Sequence, residues 1–149
     1  MPRVRDLLAR KAARGAPSAI VSIDPDSTVL AAAQLMTERG IGGLLVLEGG
    51  QLAGIFTERD ILRRIVGGQR DPVTTRVREV MTSPVLTVAP DTYVQECRGL
   101  FTERRIRHLP VVGPQGLTGV ITSGDVLAFE ADEQRTTIEH LEGYVYNSR

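Results

Sequence analysis

Two short segments of this 149-residue chain carry the same residues at the same spacing: Gly54-Ile55-Phe56-Thr57-Glu58-Arg59-Asp60 and Gly119-Val120-Ile121-Thr122-Ser123-Gly124-Asp125. In each, Thr-x-x-Asp follows one apolar run and precedes another, the pattern of a strand-to-helix junction. Two chemistries fit it. The first is local, with hydroxyl and carboxylate capping the start of a helix and no ligand needed. The second is recognition. The acid is Asp in both copies, not the Glu or Gln usual in a capping box, and a carboxylate so placed accepts hydrogen bonds from a vicinal diol such as a ribose. The free N–H groups and positive dipole end of the following helix suit phosphate oxygens. Arg59 is either a bidentate phosphate donor or a surface side chain that contacts nothing; Gly124 stands in its place in the second copy.

A second group lies at the start of the central strand. Arg107-His108-Leu109-Pro110 occupies the position of Gly42-Gly43-Leu44-Leu45 in the first copy. Arg107 and His108, with Arg104 and Arg105 nearby, are within reach of a phosphate, and His108 equally suits strand-end packing. Gly42 and Gly43 leave an open wall for close approach of a base or sugar. A lone His without a second His, Cys or carboxylate pair at ligand spacing is a poor metal ligand. His140 reads as solvated, and Cys97 falls in a helical apolar stripe. With no nucleophile elbow, phosphate-binding loop or dinucleotide fingerprint, neither an enzyme nor a catalytic cofactor is expected.

These residues are positioned by an internal repeat. Residues 21–62 superpose without a gap on 86–127 at a constant offset of 65, and 15 of the 42 positions are identical, enough to require two copies of one unit. Each copy follows a related lead-in, Arg3-Val4-Arg5-Asp6-Leu7-Leu8 and Arg76-Val77-Arg78-Glu79-Val80-Met81. The spacing predicts strand, helix, strand, strand, helix. Ile20–Ile23 and Val85–Val88 read as strands ending near a proline. Asp26 or Ser27, and Asp91 or Thr92, are the expected N-caps, with Thr92 and Gln95 at capping-box spacing. Val29, Ala32, Ala33 and Met36, and Val94, Cys97, Leu100 and Phe101, form buried helical faces. Two apolar strands joined by a glycine-containing turn follow in each copy. The chain thus divides into a lead-in (1–20), repeat 1 (21–67), a linker with the second lead-in (68–85), repeat 2 (86–130) and a tail (131–149) predicted to form a short C-terminal helix with Ile138, Leu141 and Tyr144 or Val145 on one face. One unit cannot cover its own sheet, so the two are expected to pack as a pseudo-two-fold pair with a crevice between them.

Composition bounds the function. The chain has 18 Lys+Arg against 18 Asp+Glu, 42% hydrophobic residues and one Cys. Its neutrality argues against nucleic acid, and the single cysteine against a disulfide framework, so a reducing cytoplasm is the expected setting. No apolar run approaches the length of a membrane span. The neutrality is a cancellation: residues 1–17 carry five basic groups and one acidic, residues 126–149 two basic and five acidic.

The repeated pattern, Pro-Asp-x-x-Val, an apolar helix, Ile-Arg-His-Leu-Pro-Val-Val and Gly-x-x-Thr-x-x-Asp, resembles the cystathionine-β-synthase (CBS) domain family. The likeness covers residues 1–127 as a tandem pair, a stand-alone Bateman module. It implies an α/β (α+β) fold of β-α-β-β-α repeats, a homodimer, and an adenosine ligand such as AMP, ADP, ATP, NAD or S-adenosylmethionine. It further implies that Asp60 and Asp125 hold ribose hydroxyls, that Thr57 and Thr122 contact ribose or phosphate, and that Arg59, Arg107 and His108 bind phosphate. Ser22, Ile23, Thr87 and Val88, with Ile41, Gly42, Gly43, Leu44, Leu109 and Pro110, would frame the base. The implied function is nucleotide-dependent regulation of an unidentified protein partner, by energy or redox sensing. The alternative is a ligand-independent dimerisation or adaptor module of the same fold.

Overall fold

A computed structural model of the chain describes residues 1–15 and 20–147, the side chains of 144–147 excepted. The chain divides into two compact units, Ala19–Thr87 and Met1–Ser18 with Val88–Arg149. Each repeat is thereby completed by the lead-in that precedes the other copy. The first repeat is joined by the second lead-in, and the second repeat by the first.

In the unit of repeat 1, β1 (Ser22–Ile23) runs parallel to β2 (Gly43–Glu48), and β2 pairs antiparallel with β3 (Gln51–Thr57). Helix α2 (Val29–Arg39) covers the sheet and α3 (Glu58–Asp60) follows β3. The core joins Val29, Ala32 and Met36 of α2, Leu44 and Val46 of β2, and Phe56 of β3. Val77 and Val80 of the lead-in helix α4 (Val77–Val80) complete it.

The other unit repeats this plan. Helix α5 (Val94–Arg104) packs on the hairpin of β4 (His108–Gly113) and β5 (Gly116–Thr122), and α1 (Val4–Ala13) is its lead-in helix. Its core places Val94, Cys97, Phe101, Leu109, Val111 and Ile121 at the equivalent positions, with Val4 and Leu7 from α1. Volume is exchanged rather than copied: Ala32, Met36 and Phe56 in one unit correspond to Cys97, Phe101 and Ile121 in the other. This suits cores that tolerate repacking at constant volume. Cys97 is a core residue. Burial, with Glu96 adding to it, pushes its thiol up to about 11, far from the reactive range.

The mixed α+β class and the repeated order of elements agree with the sequence, with local differences. Only Ser22–Ile23 is a strand at the start of repeat 1, and the predicted strand Val85–Val88 reduces to one bridge, Val88 to Val111. The helix after β3 is a single α turn that continues as a π-helical segment, Ile61–Val66. The N-caps are Thr28, whose hydroxyl accepts from the Ala31 N–H, and Tyr93, which makes no side-chain cap. Thr92 instead accepts from the Ala89 N–H. Last, the second helix of repeat 2 and the tail are one element. α6 runs unbroken from Ser123 to Asn147, because no glycine stop or proline intervenes as Gly67-Gly68 does in repeat 1.

The two charge-biased ends meet in this unit. Arg14 pairs with Asp132, Arg10 pairs with Glu133 at 2.7 Å, and the Arg10 guanidinium lies 4.5 Å from the Phe129 ring centre. The basic head docks on the acidic tail helix. No helix among the described residues is long and apolar enough to cross a membrane.

Candidate functional site

Each Thr-x-x-Asp forms a capping box at the end of its hairpin. The Thr57 N–H donates to Asp60 Oδ2 at 3.0 Å and the Asp60 N–H to Thr57 Oγ1 at 3.4 Å. The Thr122 N–H donates to Asp125 Oδ2 at 2.9 Å and the Asp125 N–H to Thr122 Oγ1 at 3.1 Å. Asp closes the box as Glu or Gln would, so the local reading holds at both junctions.

What surrounds each carboxylate differs. Asp60 is sealed: its Oδ1 accepts from the Thr82 hydroxyl at 3.0 Å, and Arg64 Nε stands 3.8 Å away. Thr82 is held there by backbone bonds in both directions with Ile55. Asp125 instead accepts from Lys11 Nζ at 2.8 Å through Oδ2, and Lys11 also donates to the Val120 carbonyl at 3.2 Å. The Asp125 side chain keeps 21% of its exposure against 6% for Asp60, so a ligand hydroxyl reaches the former more readily.

The glycine that opens each motif admits the lead-in. A Cβ on Gly54 would stand 2.6 Å from Met81 Sδ and 3.0 Å from the Thr82 carbonyl oxygen. One on Gly119 would stand 3.2 Å from Leu8 Cδ2. Leu8 and Met81 are the equivalent residues of the two lead-ins, so the motif serves as a docking groove as well as a helix start.

The other candidate residues gather beside these junctions. Gly43 is the register partner of Thr57, and His108 of Thr122. Gly42 accepts from the Glu58 N–H and Arg107 from the Ser123 N–H through their carbonyls. Arg107 is exposed and His108 half-buried; Arg59 is exposed on the α3 turn. The Glu58 carboxylate lies 3.4 Å from where a Gly42 Cβ would be, so the wall beside Gly42 is partly covered. Ser22, Ile23 and Ile41 are half-buried, Thr87 exposed, and Leu44, Val88, Leu109 and Pro110 buried. The structure therefore brings together Gly42, Gly43, Thr57, Arg59 and Asp60 in one unit, and Arg107, His108, Thr122 and Asp125 in the other. Leu44, Val88 and Leu109 are core residues whose side chains serve packing.

Two residues that hold the carboxylates, Lys11 and Thr82, lie in the lead-ins and escaped sequence reasoning. A signal existed for the first: Lys11 is the one lysine among 18 basic residues. A compact ammonium fits between a carboxylate and a carbonyl where a planar guanidinium does not.

The fold, the repeat and the paired junctions define a tandem regulatory-type module, and the comparisons agree. The CBS-domain family model matches residues 4–67 and 77–132. The chain belongs to the CBS-domain family. The mitochondrial CBS domain-containing protein CBSX3 of Arabidopsis thaliana is 38% identical over 125 residues, 80% of this chain and 61% of that protein. The chain therefore spans about three fifths of that relative's length. Among solved structures, a candidate signal-transduction protein with CBS domains from Burkholderia ambifaria superposes with a TM-score of 0.82 at 40% identity, over 89% of this chain and 96% of that one. A hexameric CBS-CP12 protein from bloom-forming cyanobacteria superposes with a TM-score of 0.72 at 31% identity, over 85% of this chain and 70% of the other.

Proposed function

We propose that the protein is a regulatory module that binds an adenosine nucleotide, with its principal site at the second Thr-x-x-Asp junction. One observation carries the reading: Arg107, His108, Thr122, Asp125 and Lys11 converge at one end of the β4–β5 hairpin. Arginine, lysine and imidazole suit a phosphate, and the accessible carboxylate suits a sugar diol. The module acts by binding and carries no catalytic step. Its output is a change in packing read by a partner protein, which requires the ligand to prefer one of two states. A cytoplasmic setting and assembly with a second copy belong to the same reading.

The adaptor reading has its own support. Both aspartates are satisfied as caps without a ligand, and Asp60 is sealed. Thermal unfolding in the presence of AMP, ADP, ATP, NAD and S-adenosylmethionine separates the two. Nucleotide-free protein saturated at about 100 times the dissociation constant should gain roughly 2.7 kcal/mol with at least one of them. No shift with any ligand would leave the adaptor.

A further inference from the structure

Lys11 holds the junction of repeat 2 by a charge where repeat 1 uses neutral donors. In repeat 1 the Thr82 N–H donates to the Ile55 carbonyl at 2.9 Å and the Thr82 hydroxyl to Asp60 at 3.0 Å, while Arg64 Nε stands off at 3.8 Å. Val120 and Asp125 are the matching positions of repeat 2. Both are served by one ammonium, which donates to the Val120 carbonyl at 3.2 Å and to Asp125 Oδ2 at 2.8 Å. A fixed backbone N–H and a hydroxyl are thus replaced by a full charge on a flexible stem.

That charge limits what the carboxylate can accept. Asp125 Oδ2 already accepts from the Thr122 N–H at 2.9 Å and from Lys11, so both its lone pairs are used. A vicinal diol that takes both carboxylate oxygens must turn Lys11 away. The Lys11 and Asp125 side chains keep only 18% and 21% of their exposure, so water replaces the lost contact poorly. A nucleoside therefore has two poor choices, Oδ1 alone or a stranded ammonium.

A nucleotide escapes that choice. Its phosphate lies next to the same sugar and receives the ammonium as the hydroxyls take the carboxylate. The Val120 carbonyl serves Lys11 as a pivot for this exchange. Arg10 with Glu133 and Arg14 with Asp132 keep α1 seated while the lysine turns.

We propose that Lys11 is a specificity-determining residue of the second junction, a gate that yields Asp125 to a sugar diol only when the ligand also carries a phosphate to receive the ammonium. The gate rests on the nucleotide-binding reading above and adds to it the exclusion of nucleosides. Arg107 and His108 draw a phosphate to this end of the hairpin, and Lys11 makes its arrival the condition of access to the carboxylate.

Calorimetric titration of AMP and of adenosine into the nucleotide-free full chain, Lys11→Met and Lys11→Gln tests the gate. The wild-type chain should bind AMP far more tightly than adenosine. Loss of the ammonium should tighten adenosine and weaken AMP, narrowing the ratio of the two affinities by about tenfold or more. Lys11→Gln keeps a donor for the Val120 carbonyl without the charge and should behave as Lys11→Met does. A lysine that only braced the fold would weaken both ligands together when removed. Adenosine binding unchanged or weakened in the two variants, or equal affinities for AMP and adenosine in the wild-type chain, overturns the gate and leaves nucleotide binding standing. A wild-type chain that binds no AMP overturns the nucleotide reading and the gate with it.

Discussion

The two units share one plan, and the way each secures its lead-in separates them. In the unit of repeat 1 the lead-in is short and tightly seated. Arg76 donates to the Asp26 carbonyl at 2.6 Å, Arg78 pairs with both Asp26 and Glu48, and Thr82 closes over Asp60. In the unit of repeat 2 the same roles fall to Arg3, which donates to the Asp91 carbonyl at 2.8 Å, and to Arg5, which pairs with Asp91. Glu48 has no counterpart there, since Gly113 stands in its place. The longer α1 instead sends Lys11 to Asp125. Both junctions are helix caps, but the Asp125 carboxylate keeps more of its exposure than that of Asp60. Two copies of one unit are thus sealed unequally, Asp60 more tightly than Asp125.

The sharpest way to break this contrast is at the docking glycines. Gly54→Ala pushes a methyl into Met81 and a backbone carbonyl that cannot retreat, and should cost about 3 kcal/mol in urea unfolding. Gly119→Ala meets only the end of Leu8, a flexible side chain, and should cost less than about 1 kcal/mol. Equal losses would mean that the two lead-ins are seated alike.

Next come the aspartates themselves. Asp60→Asn leaves the Thr82 hydroxyl and Arg64 facing an amide in a buried place, for an expected loss of about 2 kcal/mol. Asp125→Asn retains a cap acceptor in a more open position, and the loss should stay below about 1 kcal/mol.

A smaller difference lies at the ends of α2 and α5. Both stop in the left-handed region, at Gly40 with φ of 64° and at Arg105 with φ of 53°. A methyl on Gly40 meets nothing within 4 Å, so Gly40→Ala reports backbone strain alone, about 1 kcal/mol. Arg105→Gly should move stability in the opposite direction, which differential scanning calorimetry would register.

The smallest effect is electrostatic. Hydrogen bonds from Arg78 hold the Asp26 and Glu48 carboxyls below their ordinary values, and the Arg76 N–H, helped by Arg70, does the same for Glu79. A carboxyl whose folded pKa is depressed contributes stability above its unfolded pKa and loses it as pH falls through the folded one. The first-repeat unit should therefore weaken on acidification below about pH 4, and Arg78→Met should flatten that slope. These groups are exposed, so added salt should shrink the difference.

Much of this was legible in the order of residues. The repeat, the helical stripes and the hairpins follow from apolar spacing, and the capping boxes from Thr-x-x-Asp, because each is decided by residues close in sequence. The partner of each lead-in was not legible. Two six-residue segments resemble one another whichever repeat they cover, and the contacts that seat each one, Met81 at Gly54 and Leu8 at Gly119 among them, join residues far apart in sequence. For the same reason the sealing of Asp60 by a residue 22 positions away was hidden, as was the reach of Lys11 across 114. The predicted strand over Val85–Val88 failed because its β-branched residues find a single bridge partner, Val111. The head-to-tail charge bias was visible and had no explanation until α1 met α6.

The unequal use of the two junctions is tested most directly by calorimetric titration of AMP, or the best ligand of the panel, into nucleotide-free protein and three variants. One site per chain is expected, weakened about tenfold or more by Asp125→Asn and by Arg107→Ala, each removing a charged contact, and unaffected by Arg59→Ala at the sealed junction. Binding that survives Asp125→Asn and Arg107→Ala but is lost with Arg59→Ala would contradict the account.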